Sequence, residues 1–187
     1  MPRIGPPGPP SARLIALLAG DLAGWTRATG DDGGVHFVSA GGISLDVASR
    51  IERRFLGRTE VAVFEADLGV QLPERATMKL GHSGRVKRTG LTVKAASGGG
   101  ETQRIAEALA SDEGLCRVLM PLDFTRFEVN GDQLGSRVTL ELMGASHVAI
   151  ALPPVRSYVH LHADQREAMI GSIEATRRAL EAAVSPL

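Results

Sequence analysis

The chain has 187 residues and is formally neutral, with 21 basic and 21 acidic side chains. A chain of this length buries about two-thirds of its unfolded surface without covalent staples, and the lone Cys116 excludes an internal disulfide and thiolate-rich zinc or iron–sulfur sites. Balanced charge excludes a global field toward nucleic acid or membrane, and the cysteine usage fits a reducing cytoplasm.

In chain order, residues 1–10 (MPRIGPPGPP) predict a flexible proline-rich tail, and residues 11–187 a single α+β domain. The apolar run over residues 14–20 is too short for a secretory signal or a membrane span, and Asp21 ends it. Ser11 predicts the N-cap of a helix over residues 12–27, with Leu14, Leu18, Leu22 and Trp25 on one face. TGDDGG then breaks the helix, and from Val35 to Ser97 the period shortens to two.

Ile43, Leu45, Val47, Ile51 and Phe55 alternate with Asp46, Arg50, Glu52 and Arg54, as in a half-buried antiparallel strand. A helix over residues 47–55 is the rival, because Val47, Ile51 and Phe55 are also four apart. Gly57 and Arg58 predict a turn into TEVAVFEADLGV, and ATMKLGH and GLTVKAAS predict further strands. SGGGETQRIAEALASDEGLCRVLMP predicts a helix, divided near Ser111 and stopped by Pro121. Strands are expected at FTRFEVNG, SRVTLELMG, SHVAIAL and SYVHL, then a helix over residues 165–183 with the stripe Met169, Ile173, Thr176, Leu180 and Val184.

Strands grouped between helices predict α+β with a mainly antiparallel sheet and helices packed on one face. TMKLGHSGRV and TLELMGASHV echo one another, which would divide the domain into repeats of about 30–120 and 121–187, like the two-repeat saddle of TATA-binding-type folds.

Four motifs bear on chemistry. In SYVHLHADQ a strand would turn Val159 and Leu161 to the core and Arg156, Tyr158, His160 and His162 to the other face. Asp164 and Glu167 have capping-box spacing, while His160 and His162 could clamp a divalent ion given a third ligand, for which His147, His36 or a carboxylate would have to serve. GHSG lacks the spacing and the strand-to-helix context of a serine nucleophile elbow and reads as a hairpin turn. SGGGETQ places glycines before a helix N-terminus that can hold an anion, but it lacks the phosphate-loop lysine and Glu101 already supplies negative charge, so it reads as a mobile connector. Residues 50–94 carry ten basic and five acidic side chains, whereas residues 95–187 carry eight basic and twelve acidic; GRVKRTG, with Arg85, Lys87 and Arg88, is the densest basic stretch.

LMPLDFTRFEV, LELMGASHVAIALPP and GRVKRTGL together resemble a small family of uncharacterised bacterial proteins known as a domain of unknown function, over roughly residues 43–180. The resemblance implies a bacterial, cytoplasmic setting and supplies no activity, cofactor or catalytic residue.

The expected function is non-enzymatic binding on an open sheet face by Arg156, Tyr158, His160 and His162, joined by Arg85, Lys87 and Arg88 if their strands are neighbours. The expected occupant is a partner protein or a small anionic ligand. No cofactor, metal or catalytic residue is expected, and neither nucleic acid nor membrane is the expected partner. The alternatives are an enzyme or metal-binding protein centred on His160 and His162, and nucleic-acid binding through residues 50–94.

Overall fold

The computed structural model describes residues 3–30, 34–55, 57–84, 88–151 and 154–185. The chain is α+β, with an N-terminal helix and mainly antiparallel strands. It divides into two compact units: Met1–Glu65, Asp123–Thr125 and Glu141–Arg166 make the first, and Ala66–Leu122, Arg126–Leu140 and Glu167–Leu187 the second.

The first unit holds β1 (Arg3–Ile4), α1 (Ala12–Asp21), β2 (Thr26–Thr29), β3 (Val35–Val38), β4 (Ser44–Arg54), most of β5 (Gly57–Asp67), the later part of β9 (Gly135–Ile150) and β10 (Val155–Val159). Its strand order is β2-β3-β4-β5-β9, with β10 on β9 and β1 on β4. Ser11 caps α1 as expected: its hydroxyl accepts from the Leu14 N–H at 3.2 Å, while its own amide and hydroxyl donate to Glu60 at 2.8 Å each. Leu14, Leu18, Leu22, Phe37, Leu45 and Phe64 are fully buried.

Two expectations are corrected here. α1 stops at Asp21, and residues 26–29, of which 26 and 27 were expected to end the helix, pair antiparallel with β3. β-branched Thr26 and Thr29 fit a strand, and Gly24 at φ 91° supplies the left-handed turn that separates it from the helix. The proline-rich stretch runs along β4 instead of trailing as a tail: Arg3 and Ile4 pair with Arg53 and Glu52, and Gly8 and Ser49 exchange two 2.8 Å backbone bonds. Proline tolerates such an edge because it has no donor to leave unpaired there. The rivalry over residues 47–55 resolves as strand, paired with β5 from Asp46↔Glu65 to Arg54↔Gly57.

The second unit holds β6 (Ala76–Ser83), β7 (Gly90–Ser97), α2 (Gly100–Ser111), α3 (Glu113–Leu119), most of β8 (Phe124–Asp132), the start of β9 and most of α4 (Ala163–Val184). Its strand order is β9-β8-β6-β7, and α2 packs on β6 and β7. Met78, Ile105, Leu109, Leu115 and Phe127 are buried, as are Met169, Ile173, Thr176 and Leu180 of the α4 stripe. The division at Ser111 is present, and Asp112 caps α3 by accepting from Leu115 N–H at 2.6 Å. SRVTLELMG and the first five residues of SHVAIAL are one strand, β9, with Ala145 at φ 58° where a break was expected. The two echoing segments differ in place: the first ends β6 and runs into residues outside the described ones, and the second lies inside β9.

GHSG is a hairpin end. Ser83 closes β6 with its hydroxyl 3.1 Å from that of Thr89, and Gly84 has φ 95°. The glycine-rich N-terminus of α2 is occupied by the chain itself: the Glu74 carboxylate accepts from Gly99 N–H at 2.6 Å, Thr102 N–H at 3.0 Å and the Thr102 hydroxyl at 2.7 Å. Gly98, at φ 118°, must be glycine, since a Cβ there would lie 2.1 Å from Thr102 Oγ1. The hydroxyl bond, followed by the two amide bonds, holds the Glu74 carboxyl below its ordinary range. A depressed carboxylate stabilises the fold above its unfolded pKa, and that stability is lost as pH falls through the folded one. Glu74→Gln should therefore lower the melting temperature near neutrality, and melts at descending pH should show the gap to the parent closing in the acid range.

Candidate functional site

SYVHLHADQ is organised by an aspartate far away in the sequence. Asp21, the last residue of α1, accepts from the Tyr158 hydroxyl at 2.6 Å, from His160 Nδ1 at 2.8 Å and from the Leu161 amide at 2.8 Å, and its carbonyl accepts from Arg166. Its side chain is 7% exposed. Burial, then the hydrogen bond and charge of Asp21, push the Tyr158 hydroxyl above its ordinary range, so it stays a neutral donor. His160 meets Tyr158 edge to face, with ring centroids 4.9 Å apart. With Nδ1 on the Asp21 carboxylate, Nε2 is the ring nitrogen left for another partner.

This arrangement reverses the expected inside and outside of β10. Tyr158 opposes His147, while Val159 opposes Ser146 and Ser157 opposes Val148. Opposed residues share a sheet face, so Tyr158 and His147 lie on the α1 side and Val159 on the other. Val159 is 42% exposed, whereas Leu161 is buried. Hydrogen bonding to Asp21 thus outweighs the preference for turning the apolar residue inward.

The capping box is also displaced. α4 begins at Ala163, and the His162 carbonyl accepts its first helical bond from Arg166 N–H at 2.9 Å. Asp164 therefore sits inside the first turn, where its charge favours the helix dipole but it is not the N-cap.

Val159, Ser146, Val148 and Ile150 line a groove of about 940 Å³ in the first unit. Val61, Leu142 and Met143 extend its apolar lining; His160, His162, Asp164 and Gln165 contribute polar groups, as do Glu52, Arg58 and Thr59. Met143 and Ile150 are 58% and 39% exposed. Glu52 is held at 2.9 Å by Arg50, which also binds the buried Glu141, with Nε 3.2 Å from one oxygen and Nη2 on the other.

His160 and His162 line this groove; Tyr158 belongs to the α1 side, and Arg156 is exposed on that same side. Arg88 belongs to the second unit, where it donates to the Met120 and Leu122 carbonyls at 2.8 and 3.4 Å, beyond the end of α3. Arg85 and Lys87 lie outside the described residues. His36 is bonded to Asp46 at 2.5 Å and His147 is buried. Among the described residues, no three His, Cys, Asp or Glu side chains are grouped to hold a metal ion.

Asp21, Val61 and Val148 carried no motif. The one local signal for Asp21 is an acidic residue closing an apolar helical run. Among the described residues no helix is long and apolar enough to cross a membrane.

Residues 20–180 match the model of a family described as a protein of unknown function, DUF3156, and the chain belongs to that family. No curated protein and no solved structure matches it.

Proposed function

We propose that the protein is a non-enzymatic binding domain that takes a small molecule with an apolar body in the groove on the open sheet face of its first unit. The observation that carries this reading is the groove itself: about 940 Å³, with Met143, Ile150 and Val159 left 58%, 39% and 42% exposed along it. Small-molecule sites span roughly 300–1,000 Å³ and combine an apolar lining with a few placed polar groups. Covering apolar surface gains about 25 cal/mol per Å², and His160, with Nδ1 committed to Asp21, offers Nε2 to the polar end of an occupant.

The resemblance of the sequence and the lone Cys116 support a bacterial cytoplasmic setting. Nucleic-acid binding through residues 50–94 draws less support, because Arg50 is engaged by Glu141, Lys79 by Glu128 and Arg88 by the Met120 carbonyl. An enzymatic reading is favoured by one observation, the Asp21–His160 pair, which has the form of a base held by an orienting carboxylate.

Titration with the neutral solvatochromic dye Nile red tests the binding reading. A blue-shifted, saturable signal with a Kd of about 1–10 μM is expected, weakened at least tenfold by Val159→Asp and unchanged by Leu134→Asp, an exposed position in the second unit. No saturable signal, or equal loss in both variants, would overturn it. Under the binding reading His160→Gln keeps most of the affinity. Under the enzymatic one the parent protein turns over chromogenic esters and His160→Gln abolishes that turnover.

A further inference from the structure

We propose that Arg53, Arg58 and Arg156 form a second site, on the α1 side of the first unit's sheet, for a ligand bearing more than one phosphate group. Three backbone relations build the row. Arg53 and Arg58 are directly opposed across β4 and β5, so both side chains leave the same face. Gly57, beside Arg58, abuts β9 so closely that a Cβ there would lie 2.5 Å from the Ala149 carbonyl. Ala149 is the cross-strand partner of Arg156.

The arginines therefore cross β4, β5, β9 and β10 in sequence, with the short Ala149 between them. At about 4.8 Å per strand the row spans roughly 14 Å, too long for a single phosphate. The face is common to all three. Glu60, two residues from Arg58, binds Ser11 ahead of α1, and Tyr158, two residues from Arg156, binds Asp21 at its end.

These guanidinium groups are unpartnered, unlike Arg50 and Arg166 of the same unit. Among the described residues no carboxylate or carbonyl accepts from Arg53, Arg58 or Arg156, and both oxygens of nearby Glu60 are taken by Ser11. Like charges set directly opposite destabilise a sheet, so Arg53 facing Arg58 has no account in the internal contacts. His147 lies on the same face, 7% exposed and with Nε2 unpaired. Burial first, then the fields of Arg13, Arg58 and Arg156, with Glu60 opposing, lower its pKa. Planar guanidinium forks match phosphate oxygens two at a time.

Phosphate could come from a soluble ligand or from a lipid headgroup, and Phe55 separates the two. It is fully exposed at the turn between Arg53 and Arg58, where an apolar ring assists contact with a membrane surface and does nothing for a soluble anion.

The probe is inorganic pyrophosphate, titrated calorimetrically at low salt into the parent protein, the triple variant Arg53→Gln/Arg58→Gln/Arg156→Gln and the control Arg27→Gln, whose exposed side chain lies on β2. The triple variant should bind at least tenfold more weakly, the control like the parent, and melting temperatures should not fall, because removing opposed like charges relieves repulsion. In parallel, phosphatidylcholine vesicles containing phosphatidylglycerol are sedimented with each protein and with Phe55→Ser. Retention lost in the triple variant and in Phe55→Ser assigns the site to headgroups; pyrophosphate binding without retention assigns it to a soluble phosphate ligand. Arg58 also borders the groove, but Val159 leaves the opposite sheet face from Arg156, so Val159→Asp should leave both readouts unchanged. Binding of neither probe by the parent, or equal binding by parent and triple variant, would overturn the proposal.

Discussion

Arg50→Met is expected to destabilise the protein by about 3–5 kcal/mol, the usual cost of leaving one member of a buried ion pair uncompensated. Glu141 has a side chain 1% exposed and Arg50 one 12% exposed, and the pair is joined through both guanidinium and carboxylate edges. Desolvating two charges consumes most of what their attraction returns, so the pair itself contributes little net stability while removing the guanidinium from the buried carboxylate is costly. The double variant Arg50→Met/Glu141→Leu should accordingly recover most of the loss. Denaturant melts of the parent, the single variant and the double variant check this. A single variant within about 1 kcal/mol of the parent would mean that water reaches Glu141 freely.

Asp21→Ala should cost nearly as much, about 2–4 kcal/mol, because the Leu161 amide and the Tyr158 hydroxyl lose their acceptor at about 1–3 kcal/mol for each unsatisfied buried donor. For a chain of this size that corresponds to a fall in Tm of roughly 5–15 °C. Tyr158→Phe removes one of those donors, so its effect should be smaller in the Asp21→Ala background than in the parent. Additive losses in the double variant would show that Tyr158 and Asp21 are not coupled.

These two positions mark where reading the sequence succeeds and where it stops. Ser11, the division after Ser111 and the alternation over residues 44–54 are local signals, and the capped helix, the two helices and the strand follow from them. β2 was hidden inside a helical pattern because Leu22 and Trp25 continue the spacing of α1, while pairing with β3 decides the matter. Asp21 meets Tyr158 and Leu161 across 137 and 140 positions, a distance over which no periodicity carries information. Without that contact, Val159 reads as core and Tyr158 as surface, whereas Val159 is exposed and Tyr158 half-buried. His160 and His162 were legible as residue types apt for a site. Their groove was not, since Val61, Met143, Val148 and Val159 come together from three separated strands. The glycine-rich loop read first as a connector and only second as a helix start able to hold an anion, and nothing local named Glu74 as the anion.

The groove is tested most directly by methyl-detected NMR of protein labelled at valine, isoleucine and methionine methyls, titrated with a neutral apolar small molecule such as Nile red. The methyls of Val61, Val148, Ile150, Val159 and Met143 are predicted to shift together and saturably, while Val138 and Met78, buried in the second unit, stay in place. Shifts confined to other methyls, or none at saturating ligand, would contradict a binding groove on this sheet face.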